Sequence, residues 1–244
     1  MKRVVVITAM AVLALVAGFS APQAGSKFEL GPKLGLNLMT VGGDDANNLM
    51  GVIDDDPGYL TGFTVAGFGR VYLSEYVALQ FELAYVQKGS EWEFDVAESV
   101  KFTAQVRLDY IEIPVLLSLH IPTQSALSPF ISAGGSVGFK SSSKFKAKIS
   151  GSGIDDEAES YKILNASGTQ FNLIFGAGVG FNLGTNRLEL SANYSMGMGN
   201  AFEDADDPGD AEDDEIYMVD YITGDVAQLK TRQISILAQF AFGL

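Results

Sequence analysis

Residues 77–88 read Val77-Ala78-Leu79-Gln80-Phe81-Glu82-Leu83-Ala84-Tyr85-Val86-Gln87-Lys88, and they separate into two unlike sets. Val77, Leu79, Phe81, Leu83 and Tyr85 form an apolar set; Ala78, Gln80, Glu82, Ala84, Val86 and Lys88 form a mixed one. A period of two belongs to a strand, because successive Cβ atoms point to opposite sides of the pleat. Residues 171–183 repeat the pattern, with Phe171, Leu173, Phe175, Ala177, Val179, Phe181 and Leu183 set against Asn172, Ile174, Gly176, Gly178, Gly180 and Asn182.

Working outward from these two, six more stretches alternate in the same way. Their apolar markers are Phe28 to Leu38, Phe63 to Leu73, Ile111 to Leu119, Ile131 to Phe139, Leu188 to Met196 and Ile234 to Phe242. Eight strands are therefore expected. The polar face decides which solvent each side meets: it holds mostly Gly, Ser, Asn, Gln and Ala with isolated charges. A water-facing surface carries roughly 25–35% charged residues. A crowded lumen suits the observed residues better, since eight strands leave an interior only wide enough for side chains to fill. The apolar face then meets lipid, which about 9–11 residues per tilted strand suffice to cross. Closure follows, because unpaired backbone groups in lipid cost several kcal/mol each. The expected fold is all-β: an eight-stranded antiparallel up-and-down transmembrane β-barrel over residues 25–244.

The connections alternate as well. Short ones are expected near 74–76, 122–127 and 184–186, and long loops over 42–58, 90–102, 141–168 and 200–226. That alternation is the outer-membrane pattern, and with an even strand number it puts both termini on the short-turn, periplasmic side. At the start, Lys2 and Arg3 precede a run from Val4 to Phe19 that is apolar except for Thr8, followed by Ser20, Ala21 and Ala24. The run falls short of the ~20 residues of a spanning helix, so residues 1–24 read as a signal peptide, cleaved between 20 and 25. Cysteine is absent, which excludes a disulfide framework and thiolate metal sites.

Three segments carry a family likeness: Glu82-Leu83-Ala84-Tyr85-Val86-Gln87-Lys88-Gly89, Asp109-Tyr110-Ile111-Glu112-Ile113-Pro114-Val115-Leu116-Leu117 and Pro129-Phe130-Ile131-Ser132-Ala133-Gly134-Gly135. They resemble the PorT-like outer-membrane β-barrel family, often called the porin family, in which a strand ending in Lys-Gly precedes a Tyr-x-Glu-Ile-Pro strand. The resemblance implies fold and location, insertion by the outer-membrane assembly machinery, and a role in secretion or assembly as one reading. The chain departs from the usual aromatic C-terminal residue by ending on Leu244, although Phe240 and Phe242 keep the alternation.

Chemistry has few candidates. The lumen face is expected to hold Lys33, Arg70, Glu82, Lys88, Glu112 and Glu189, and buried charges there need partners. The turn at 74–76 suggests an ion pair between Arg70 and Glu82. The network reads as a structural plug, with a proton or ion path as the alternative. His120 is the one histidine; preceding Pro122, it is expected at the periplasmic rim, far from outer-leaflet lipid, which argues against an enzyme.

The formal net charge is −14. Residues 200–226 contain Glu203, Asp204, Asp206, Asp207, Asp210, Glu212, Asp213, Asp214, Glu215, Asp220 and Asp225 with no Lys or Arg, and 42–58 adds Asp44, Asp45, Asp54, Asp55 and Asp56. Such loops are either solvated like-charged segments or weak Ca²⁺ sites, with Asp204, Asp206, Asp207, Asp210, Asp213 and Asp214 the candidate ligands and bridging to lipopolysaccharide a further use. The basic surface that nucleic-acid binding requires is missing. Lys144, Lys146 and Lys148 alternate in the third long loop, where they are solvated or face lipid phosphates or the acidic loops. The sequence thus points to a non-enzymatic surface barrel without a resident cofactor, serving envelope structure, adhesion or surface ligand contact. A secretion component and a narrow solute pore are the alternatives.

Overall fold

The computed structural model describes residues 28–42, 58–97, 100–121, 123, 126–151, 154–203, 214–217 and 229–244. The segment read as a leader and most of the acidic loop residues lie outside these. Ten strands run in chain order: β1 Phe28–Gly42, β2 Leu60–Tyr72, β3 Val77–Ala97, β4 Val100–His120, β5 Leu127–Gly151, β6 Ile154–Ile163, β7 Thr169–Leu183, β8 Asn186–Gly197, β9 Glu215–Ile216 and β10 Lys230–Gly243. Eight of them close a ring, β1-β2-β3-β4-β5-β7-β8-β10, with β10 hydrogen-bonded back to β1 from Glu29↔Gly243 to Gly42↔Lys230. Every pairing in the ring is antiparallel. Closure leaves the ring no open edge to satisfy in lipid.

The apolar set of each strand points out. Leu36 is 73% exposed and Phe171 62%, whereas the alternate residues Asn37 and Asn172 are buried. From β4 into the residue that follows it, the outward apolar run extends from Ile111 to Ile121. Ten residue steps cover about 33 Å along a strand, or about 23 Å of height at a ~45° tilt, close to the ~25 Å apolar band of an outer-membrane barrel. Phe28 and Tyr76 lie on the outer surface toward the short turns, and Tyr59 and Phe63 toward the long connections.

Two of the expected long loops are strand instead. β3 and β4 stay paired out to Ala97↔Val100, across most of 90–102, and β5 continues to Gly151 before turning back as β6. Sequence polarity obscured this because the apolar phase reverses above the lipid band. On β4 the odd residues Ile111 to Leu119 are exposed, while above them the even residues Ala104, Val106, Leu108 and Tyr110 are buried. The outward residues become Lys101, Thr103, Gln105, Arg107 and Asp109. A strand leaving lipid for water must turn its apolar side inward.

Two local devices sit at this level. Gly89, in the Lys-Gly motif, has φ 151°, and a Cβ there would come 2.0 Å from the Val106 carbonyl oxygen. Between Tyr110↔Lys140 and Asp109↔Ser142 the register of β5 gains a residue. This bulge moves the inward positions of β5 from even residues such as Ser136 and Gly138 to the odd Ser143 and Phe145. Lower down, the β3–β4 ladder pairs Phe81 with Val115 and Ala84 with Glu112 but not the residues between, where Pro114 has no N–H to donate.

Candidate functional site

The interior is polar within the lipid band. Alternation aims Glu29 and Lys33 of β1, Arg70 of β2, Glu82 and Lys88 of β3, Glu112 of β4, and Arg187 and Glu189 of β8 inward. Among the described residues, four cations therefore face four carboxylates. The six lumen residues expected from sequence all lie here and all are buried. Glu29 and Arg187 were missed, although each shares strand and parity with an expected residue, Lys33 and Glu189 respectively.

Arg70 does not pair with Glu82. The 73–76 turn sets Arg70 opposite Gln80 and leaves Glu82 opposite Phe68. Arg70 reaches across the lumen to Glu189, donating from Nη1 at 2.8 Å and Nη2 at 2.6 Å, and also to Glu29 at 2.9 Å. Its Nε donates to Gln80 at 2.8 Å. Gln239 donates to the same Glu189 carboxylate, and Arg187 Nε lies 2.8 Å from it in a charge contact too bent for a hydrogen bond. Glu82 instead accepts from Lys33 at 2.7 Å and from Gln80 at 2.6 Å.

Nearer the long connections, Lys88 pairs with Glu112 at 2.7 Å and donates to Asn172 at 2.6 Å and Gln170 at 2.9 Å. Ser136 and Asn172 complete the coordination of Glu112. Between this pair and Lys33–Glu82 lies a cavity of about 40 Å³, lined among others by Pro114, Asn193 and Gln233. By volume it holds about two or three waters.

His120 is at the short-turn end, but it is not a surface residue. It points inward, 4% exposed, with Nδ1 3.0 Å from Arg187 Nη2 and its ring against Tyr72 and Phe130. Gly180 makes room for this group: a Cβ there would lie 2.2 Å from Arg187 Nε. His120, Arg187 and Tyr72 thus pack as one group at the short-turn end of the ionic lumen, with Glu189 held against the same Arg187.

Above Lys88 the interior becomes apolar. Trp92, Val106, Leu108, Tyr110, Phe145 and Ile163 pack with Ala166, Phe202 and Leu229 into one buried cluster. The connecting segments cross it, with Ser167 N–H donating to the Ala201 carbonyl at 2.8 Å and Ala201 N–H to the Leu229 carbonyl at 2.6 Å. The Lys88 ammonium lies 5.7 Å from the Tyr110 ring centroid, so ionic lumen and apolar cap are continuous. Asn165, in the Asn165-Ala166-Ser167 sequon, is buried here and donates to the Glu203 carbonyl.

Asp204, Asp206, Asp207, Asp210 and Asp213, the candidate divalent-cation ligands, lie outside the described residues. Asp214 is exposed, and its carbonyl accepts from Lys162 N–H. Lys144, Lys146 and Lys148 stand on the extension of β5 and not in a loop.

A family model described as outer membrane protein beta-barrel domain matches residues 17–203. No curated protein sequence matches the chain. Among solved structures the chain is similar to the Neisserial surface protein A NspA, at 15% identity over 90% of this chain and 98% of that one with a TM-score of 0.40. It is also similar to OprG of Pseudomonas aeruginosa (9% identity, 90% and 96% coverage, TM-score 0.41) and to Ail, the attachment invasion locus protein of Yersinia pestis (15%, 88% and 99%, 0.35).

Proposed function

The chain belongs to the outer membrane protein beta-barrel domain family and resides in the bacterial outer membrane, and from that premise we propose that it is a non-enzymatic, sealed barrel whose working surface is the sheet projecting beyond the lipid. The observation that carries this is the reversal of polarity along β3, β4 and β5. Within the lipid band the apolar side faces out; beyond it the same strands turn their apolar residues onto Trp92 and Phe145 and present polar residues to water. Two closures in series, the ion-paired lumen and the apolar cap, speak against solute passage. The lengths of the connections support an orientation with the cap and acidic loops outside the cell and both termini in the periplasm. Envelope structure, adhesion and surface ligand contact are the roles that such a surface serves.

Protease treatment of intact cells with mass mapping of the cuts tests the reading. Cuts confined to residues 43–57 and 204–228 support an exposed outer face, and cuts at 73–76 or 184–185 on intact cells contradict the orientation. The narrower PorT-like kinship supports a second reading, in which the projecting sheet docks another protein of a secretion or assembly complex. Recovery of a stoichiometric partner from native membranes would favour it.

A further inference from the structure

The outward face of the projecting sheet carries a row of cations. Arg107 on β4 is the register partner of Lys144 on β5, and Lys144 is in turn the partner of Lys162 on β6. Direct partners hold their Cβ atoms about 4.5–5.5 Å apart, and like charges so placed destabilise a sheet. Lys144 and Lys162 are exposed and Arg107 is half-buried, while their alternates Phe145, Ile163, Val106 and Leu108 face the cap. Lys146, exposed in the next row, stands opposite Gln105 and Ser160.

Some of the described acids on this sheet are committed elsewhere. Among the described residues Arg107, Lys144 and Lys146 form no ion pair. Lys162 contacts Glu215 at 2.7 Å, Glu91 accepts from Gln105, and Glu93 pairs with Lys101. Asp109 lies two residues below Arg107 on the same face. In a chain of net charge −14, three cations side by side on hydrogen-bonded strands are against the composition as well as against the register.

Height points to a partner. Arg107 is four residues above Ile111, the last lipid-facing residue of β4, which is about 13 Å along the strand and about 9 Å along the membrane normal. The headgroup layer is roughly 5–7 Å deep on each side, within reach of extended Arg and Lys side chains. We propose that Arg107, Lys144, Lys146 and Lys162 form a binding site for the phosphate groups of outer-leaflet lipopolysaccharide, in which the guanidinium chelates one phosphate and the ammonium groups neutralise its charge. The proposal rests on the orientation given above.

Native mass spectrometry of the purified full chain in micelles, with diphosphorylated lipid A, dephosphorylated lipid A and phosphatidylethanolamine as probes, tests it. Only the diphosphorylated form should bind well, and the triple variant Arg107→Gln, Lys144→Gln, Lys146→Gln should lose about tenfold or more of that affinity. The charge-keeping variant Lys144→Arg, Lys146→Arg should retain it, which separates lost charge from lost folding. Equal binding of the dephosphorylated form, equal binding of phosphatidylethanolamine, or undiminished binding by the triple variant overturns the site. Since the chain has no cysteine, Ala158→Cys gives one label position on β6. Reaction with an impermeant maleimide on intact cells supports the orientation. Protection in intact cells with labelling after lysis overturns the orientation, and with it lipopolysaccharide as the source of the phosphate.

Discussion

Glu189, fully buried, holds Arg70 by two hydrogen bonds and touches Arg187, and lipid surrounds the barrel that contains all three. Removing one partner of such a group strands the others. Glu189→Ala should therefore cost about 3–5 kcal/mol, measured by urea titration of the folded band on unheated gels. Replacing both members of a pair is different: Lys33→Met with Glu82→Leu should change the midpoint little or raise it, since burying two charges carries its own desolvation penalty and Gln80 keeps its contact with Arg70. Gly180→Ala acts through space. Its methyl group would displace the Arg187 guanidinium, and a loss of about 1–3 kcal/mol is expected in the same titration. The residues of this network were legible from parity, because a lumen face admits few charges and each must lie on it. The pairings were not, because partners such as Arg70 and Glu189 meet across the lumen, where sequence distance carries no information.

At the scale of the strand, Gly89 and the bulge at Ser141–Ser142 mark where β3 to β5 pass from lipid to water. Gly89→Ala would force a Cβ against the Val106 carbonyl in a left-handed backbone region. Trp92→Ala would leave a large void in the cap, at a cost of about 3–5 kcal/mol. For both variants limited proteolysis should cut within 88–110 and 141–163 while the barrel segments below stay resistant. Uniform loss of resistance would mean that cap and barrel form one cooperative unit. The lipid-facing strands were readable because outward apolar residues recur at every second place. Residues 90–102 and 141–168 were read as loops because outward residues such as Glu91, Glu93, Lys101 and Lys144 to Lys148 are polar, and the inward apolar residues continue the alternation in the opposite phase. Likewise His120 was read as a rim residue from its nearness to the turn, yet its parity aims it into the lumen.

For the whole molecule, a ring of eight strands fixes how much the lumen holds, and among the described residues four cations, four carboxylates and the apolar cap lie in it. A void between the two upper ion pairs amounts to about 40 Å³. On the proposed reading interaction is directed to the outer surface, where a net charge of −14 is set against a local basic row. Single-channel recording of the purified full chain in planar bilayers tests the sealed barrel most directly. The wild-type protein should show no steady conductance above the lipid baseline, and a steady open level of porin size from the wild-type chain would contradict the account.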